Sequence, residues 1–270
     1  MIKINGQIIE NKHFPDGTFS TKLSSELINK ENTTITWLFG DNSELVLLMF
    51  VTKHLKTLGV KNIELYMPYI PNARLDRVKN EDDIFTLKYF TQIINDLGFD
   101  SVRVLDPHSY VSEALIERIK IDYPDIMIKN VLAEISKEND IDKNNITMFY
   151  PDEGAMKRYF GSFKNPFAFG IKKRDWKSGD ILGLEVSGEI EQIKGKNILI
   201  VDDICSKGGT FYHSAKKLKE LGAGNIYLYV SHCENTILDG EVLSSRLVER
   251  VYTTNSIFTK AHDKIKVYKL

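Results

Sequence analysis

The 270-residue chain predicts an α/β fold of two domains, each a mostly parallel sheet flanked by helices. Three observations carry that expectation. Short runs rich in Val, Ile, Leu and Tyr alternate with longer amphipathic stretches, as in βαβ units. Most of the runs end in polar residues. The arrangement also occurs twice: a run at 101–105 ends in Asp106-Pro107-His108, and one at 197–201 ends in Asp202-Asp203.

The elements follow in order. A strand at 35–39 precedes a helix at 43–58, for which Ser43 is the expected cap. A strand at 63–69 leads to a helix at 83–97, stopped by Leu97-Gly98. The strand at 101–105 precedes a helix at 111–119. The stretch 122–125 reads as a linker, which puts the domains at 1–125 and 126–270, and the polar residues 137–145 read as a solvated loop. Beyond it, strands are expected at 146–150, 197–201 and 225–230, with helices at 208–221 and 240–247.

Composition narrows the function. Hydrophobic residues make up 42% and charged residues 27%, which suits a globular chain rather than a disordered one. With 36 Lys+Arg against 37 Asp+Glu there is no global basic field, so neither nucleic acid nor an anionic membrane is an expected partner. An anion site must be local. Cys205 and Cys233 are too few for a disulfide framework, the N-terminus has no signal-like apolar region, and the longest apolar run, 45–51, is too short to span a bilayer. The expected location is the cytoplasm.

In open α/β sheets, ligands bind beyond the carboxyl ends of the strands. The strongest signal there is the segment 197–210. A hydrophobic strand delivers Asp202 and Asp203, and a loop of Ser206, Lys207, Gly208, Gly209 and Thr210 then opens a helix. Glycines permit close backbone approach, the helix N-terminus offers unpaired N–H groups and a positive dipole end, and the side chains add hydroxyls and a charge. Acids for sugar hydroxyls beside a cradle for phosphate suit a sugar phosphate. Arg74 and Arg77 follow a strand end and are placed to fork onto phosphates. His108 stands beside Asp106 at another strand end, as a contact for metal or phosphates, and Asp152 is a candidate Mg²⁺ ligand. Lys173 and Arg174 open a charged stretch suited to a loop that closes over reacting phosphates. No GxxxxGK[ST] is present, Gly222-Ala-Gly224 has the wrong context for a dinucleotide fingerprint, and His and Cys show no zinc spacing.

Together these segments resemble the ribose-phosphate diphosphokinases, the synthetases of phosphoribosyl diphosphate (PRPP), whose domains are phosphoribosyltransferase-like. Segment 197–210 resembles the PRPP-binding loop, which simple transferases share. Pro68-Tyr69-Ile70-Pro71-Asn72-Ala73-Arg74-Leu75-Asp76-Arg77 looks like the synthetases' Pro-Tyr-x-x-x-Ala-Arg-Gln-Asp-Arg, which the transferases lack. Phe14-Pro15-Asp16-Gly17, Asp106-Pro107-His108, Pro151-Asp152-Glu153-Gly154 and Lys172-Lys173-Arg174 resemble further family motifs, in family order. The resemblance implies an ATP- and Mg²⁺-dependent enzyme. It gives Lys173, Arg174 and His108 catalytic roles and assigns ATP binding to Phe14, Asp16, Arg74, Asp76, Arg77 and His108. His108 and Asp152 fall at the metal, and Asp202, Asp203 and 206–210 at the ribose phosphate. Phe14 and Asp16 would serve a neighbouring subunit, which implies a homo-oligomer, a dimer or hexamer.

The chain departs from the pattern at particular residues. Leu75 replaces Gln, Thr18 replaces an acid, Asp175 stands where an arginine is usual, and Ser206-Lys207 replaces Asp-Thr. The last exchange removes one negative charge and adds one positive. A longer anionic 5-substituent suits that change, so ADP-ribose, giving a 1-diphosphate usable for NAD salvage, stands as an alternative acceptor to ribose 5-phosphate. A PRPP-consuming transferase and a non-catalytic regulatory subunit are the remaining alternatives. The arginine motif weighs against the first, and the retained His108, Asp152, Lys173, Asp202 and Asp203 weigh against the second.

Overall fold

The computed structural model describes residues 1–174 and 181–270, and the side chains of 172–182 lie outside that description. The chain divides into two compact units, Met1–Tyr123 and Pro124–Leu270.

The first unit carries β1 (Ile2–Ile4), β2 (Gln7–Ile8), β3 (Asn11–His13), β4 (Phe19–Thr21), β5 (Asn32–Trp37), α1 (Ser43–Thr57), β6 (Asn62–Tyr66), α2 (Thr86–Asp96), β7 (Ser101–Leu105), α3 (Tyr110–Leu115) and β8 (Ile119–Asp122). Its main sheet runs β2-β1-β5-β6-β7-β8, with β5 to β8 parallel and β1 antiparallel to β5. β3 and β4 form a separate antiparallel hairpin. The core gathers Ile35, Trp37, Leu65 and Val104 from the strands with Leu48, Leu55 and Leu87 from the helices, all fully buried.

The second unit carries α4 (Asp125–Asn139), β9 (Thr147–Tyr150), α5 (Glu153–Tyr159), β10 (Phe167–Arg174), β11 (Ile181–Gly188), β12 (Ile198–Cys205), α6 (Gly209–Glu220), β13 (Ile226–Cys233), α7 (Glu241–Ser244), β14 (Arg250–Thr254) and β15 (Ile265–Tyr268). Its sheet runs β11-β10-β9-β12-β13-β14-β15, parallel throughout except for β11. From β9 the chain passes to β10 on one side, then returns to place β12 on the other. That reversal makes the carboxyl ends of β9 and β12 a switch point, the place where an α/β sheet opens a ligand crevice. β9 ends just before Asp152, and β12 contains Asp202 and Asp203.

The α/β class stands, and several local expectations need correction. Ser43 does not cap α1. It lies inside the first turn, and the carboxylate of Asp41 accepts its N–H at 2.8 Å instead. The helix expected at 111–119 stops at Leu115, because Arg118 takes a left-handed φ of 55° and the β-branched Ile119 and Ile121 enter β8. Between the expected linker and the expected loop runs α4, which takes in Asp125 and residues 137–139 and buries Ile128, Val131, Leu132 and Ile135 along one face. β14 and β15 extend the sheet beyond the last expected strand.

Candidate active-site residues on the two units

On the first unit, the segment after β6 folds back on itself. Ala73 N–H bonds to Ile70 O at 3.3 Å and Leu75 N–H to Asn72 O at 2.9 Å, with Asn72 in the left-handed region at φ 65°. Ile70 and Ala73 are buried, which anchors the turn and leaves Arg74 and Arg77 at the surface. Arg77 Nε donates to Asp76 Oδ1 at 3.1 Å, so Asp76 aims that guanidinium. The neighbouring strand, β7, ends at Leu105 and is followed by Asp106, whose φ of 42° turns the chain sharply. A non-glycine residue held there stores strain of the kind found at functional sites. Asp106 is buried and His108, two residues on, is part-exposed. Phe14 and Asp16 form the tip of the β3–β4 hairpin, where Phe14 is 55% exposed. Thr18, one of the departures from the family pattern, acts locally, since its N–H and hydroxyl both donate to Asp16 Oδ1, at 2.9 and 2.7 Å. Those bonds lower the Asp16 pKa and keep the tip negative.

On the second unit, the acids meet at the switch point. Asp202 accepts the N–H of Asp203 at 2.9 Å. Desolvation, then the charge of Asp203, hold the Asp202 pKa well above the usual carboxylate range, and Asp152 adds to the effect. Asp152 caps α5, accepting the N–H of Ala155 at 3.1 Å. Asp203 is nearly buried, with its Oδ1 2.8 Å from a guanidinium nitrogen of Arg158 on α5. Sequence reading missed Arg158. It sits six residues after Asp152 on the helix that Asp152 caps, so the motif Pro151–Gly154 itself pointed to where a counter-ion stands. Of the two acids expected to face sugar hydroxyls, Asp203 pairs through Oδ1 with Arg158, and Asp202 is the more exposed. Asp202→Asn is expected to raise KM for the sugar substrate by roughly 10- to 100-fold, the loss of a hydrogen bond to a charged group. Steady-state kinetics with the sugar varied checks this, and an unchanged KM would displace Asp202 from the sugar site.

The phosphate loop is braced from behind. Gly208, at φ 78°, is the N-cap that precedes α6, and a Cβ there would stand 2.6 Å from Val242 Cγ1. At Gly240 a Cβ would stand 1.8 Å from the Lys207 carbonyl oxygen, so only glycine fits. Lys207, Gly209 and Thr210 are exposed. Ser206 behaves differently from expectation: its hydroxyl donates to Glu234 Oε2 at 2.8 Å, so it offers the cradle lone pairs rather than a hydrogen. Cys205 and Cys233 are buried register partners on β12 and β13, and their contact with burial pushes the Cys205 thiol pKa well up.

Lys173 and Arg174 lie at the end of β10, whose register pairs Lys173 with Gly183 and Arg174 with Ile181. The expected closing loop and these two side chains lie outside the described residues. Among the described residues no group of three or more His, Cys, Asp or Glu is arranged to hold a metal. Mg²⁺, which keeps waters and takes one or two carboxylates plus substrate phosphates, does not need such a cage. The oxygen donors Asp152, just after β9, and Asp202, in the neighbouring β12, fit that habit. No helix among the described residues is long and apolar enough to cross a membrane.

No protein-family model matches the chain. Curated relatives do. The ribose-phosphate pyrophosphokinase of Saccharolobus solfataricus is 26% identical over 229 residues, covering 83% of this chain and 76% of that protein. That of Sulfurisphaera tokodaii is 26% identical over 255 residues, 92% of this chain and 84% of the relative. That of Bacillus caldolyticus is 28% identical over 236 residues, 85% of this chain and 71% of the relative. The solved phosphoribosylpyrophosphate synthetase of Mycobacterium smegmatis superposes with a TM-score of 0.77 over 97% of this chain and 86% of that one, at 18% identity, which establishes a shared fold. With two parallel-sheet units, a diacid–glycine loop on one and a double-arginine turn on the other, the chain is similar over most of its length to the ribose-phosphate pyrophosphokinases.

Proposed function

We propose that the protein transfers the β,γ-diphosphate of ATP to the C1 hydroxyl of a ribose bearing a 5-phosphoryl group, with ribose 5-phosphate giving PRPP and AMP. The observation that carries this reading is the presence on one chain of both halves of the chemistry. The second unit offers Asp202 beside the braced loop 206–210, a sugar-phosphate site. The first offers Arg74 and the Asp76-aimed Arg77, a polyphosphate site that a PRPP-consuming transferase has no use for.

In the reaction the C1 oxygen bonds to the β-phosphorus as the bond from that phosphorus to the α-phosphate oxygen breaks, releasing AMP. Charge stabilisation and positioning carry most of such a step. Arg74 and Arg77 bind and orient the ATP phosphates, with His108 beside them. Asp202 orients the sugar through its hydroxyls, and the loop's N–H groups hold the 5-phosphoryl group. Lys173 and Arg174 bring positive charge to the transferring diphosphate. Mg²⁺, held by Asp152 and substrate oxygens, would neutralise phosphate charge when bound.

The test is incubation with ATP, Mg²⁺ and ribose 5-phosphate, with AMP as the readout. Absence of AMP with ribose 5-phosphate and with ADP-ribose would favour a non-catalytic subunit. The relatives' names support ribose phosphate as acceptor. ADP-ribose stays in the comparison because Lys207 is exposed at the loop while Ser206 is tied to Glu234.

Phe14 and Asp16 support a homo-oligomer in which each hairpin tip completes a neighbour's ATP site. An exposed Phe beside an acid held negative suits an adenine face and its amino group. Phe14→Ala is expected to raise KM for ATP by about tenfold, the scale of one lost aromatic stacking contact. Mixing it with an Arg74→Ala variant should restore part of the activity, since each then supplies what the other lacks. No complementation, or full activity of a monomer in sedimentation, would overturn the shared site.

A further inference from the structure

The phosphate loop has a carboxylate built into its wall. Glu234 follows β13, and its backbone N–H bonds to the carbonyl of Cys205, the last residue of β12, at 2.8 Å. Its Oε2 accepts the hydroxyl of Ser206 at 2.8 Å and that of Thr236 at 3.1 Å, and the two hydroxyl oxygens stand 3.3 Å apart. The same stretch of chain supplies Gly240 and Val242, the residues against which Lys207 and Gly208 are packed. Glu234 is thus a fixed part of the cradle rather than a surface side chain passing by.

A carboxylate in that place alters what the cradle accepts. A terminal phosphate carries a charge of about −1.5 to −2 near pH 7, whereas an esterified phosphate carries one per phosphorus. The second charge of a terminal phosphate is the part that Glu234 repels. Donor count points the same way. A terminal phosphate presents three bare oxygens and an esterified one presents two. The cradle has lost a donor, because the Ser206 hydrogen points at Glu234.

We propose that Glu234 is a specificity-determining residue of the acceptor site, selecting ribose whose 5-phosphoryl group is esterified onward over ribose with a terminal 5-phosphate. The inference rests on the reading of loop 206–210 as the 5-phosphoryl site. The acceptor class it names is a ribose 5-phosphodiester or 5-diphosphate ester, with ADP-ribose as one soluble representative.

The experiment measures calorimetric Kd values for ribose 5-phosphate, its methyl phosphodiester and ADP-ribose, and kcat/KM for AMP release with each, in wild type and Glu234→Gln. In wild type the methyl ester is expected to bind at least as tightly as ribose 5-phosphate despite its smaller charge. Glu234→Gln is expected to shift the preference at least tenfold toward ribose 5-phosphate. Ser206→Ala, which keeps the carboxylate, should leave the preference with the esters. Wild type binding ribose 5-phosphate ten times tighter than its methyl ester would overturn the inference, even if the variant fails to fold. So would an unchanged preference in folded Glu234→Gln. Binding without AMP release would count against the catalytic reading alone, since the Kd ratios still decide the role of Glu234. No binding of any of the three would overturn both.

Discussion

Arg158→Met is expected to destabilise the second unit by about 3–5 kcal/mol, the cost of leaving one member of a buried ion pair without its partner. The guanidinium lies 2.8 Å from Asp203, and the two side chains are only 18% and 3% exposed. Asp203 also stands beside Asp202, whose pKa is already raised by burial and by that neighbour. Without Arg158, two adjacent carboxyls share a dry strand end with Asp152 close enough to add to the repulsion. Pairing Arg158→Met with Asp203→Leu removes both charges and is expected to recover most of the stability, because apolar replacement of a buried pair is often near neutral. Sugar binding should stay impaired in that double variant, since Asp202 loses its neighbour's support. Urea unfolding of the two variants beside wild type checks this, and a midpoint unmoved in Arg158→Met would mean that the pair carries no net stability. Asp203→Asn lies between these cases: the amide keeps its size but removes the charge that faces the guanidinium at 2.8 Å.

How much of this was legible in the sequence follows from where the signals are local. The strands β5, β6, β7, β9, β12 and β13 are short apolar runs flanked by turn residues, and the pattern alone places them within a few residues. Helix α4 has an equally plain pattern, with Ile128, Val131, Leu132 and Ile135 at helical spacing. Its polar last turn and the preceding Tyr-Pro carry the composition of a loop and mask that spacing. β14 and β15 gain their meaning only from pairing with β13 and with each other, a long-range fact that no window of sequence holds. The candidate site divides in the same way. Asp202, Gly208, Gly209 and Arg74 announce themselves because strand, turn and chemistry coincide within a few residues. Arg158 and Glu234 reach the diacid and the loop from elsewhere, across 45 and 28 positions for the pairs Arg158–Asp203 and Ser206–Glu234. Even the departures resolve locally. Thr18, where an acid is usual, is the residue that holds Asp16 in place.

Lys173→Ala is expected to lower kcat about 100-fold while KM for ATP changes by less than about twofold. Lys173 lies next to the last residue of β10, where the register with β11 shifts between Lys173 and Arg174 before the 175–180 connection. Sequence resemblance gives this position to the basic pair that meets the transferring diphosphate. In diphosphate transfer, negative charge is redistributed among the phosphate oxygens as one P–O bond lengthens and another forms. A cation that meets that charge only in the transition state contributes to kcat and not to ground-state binding. Losing one such contact typically costs about 3 kcal/mol, or roughly 100-fold in rate. Arg74 and Arg77, which we propose bind the ATP phosphates, lie on the first unit and are unchanged, so ATP binding is expected to persist in the variant. Lys173→Arg keeps the charge on a differently shaped head, and is expected to retain a larger share of turnover than the alanine variant. The measurement is steady-state AMP release with ATP varied at saturating acceptor, for wild type and both variants. A raised KM with unchanged kcat would make Lys173 a ground-state contact to ATP and move the search for the transition-state cation to Arg174.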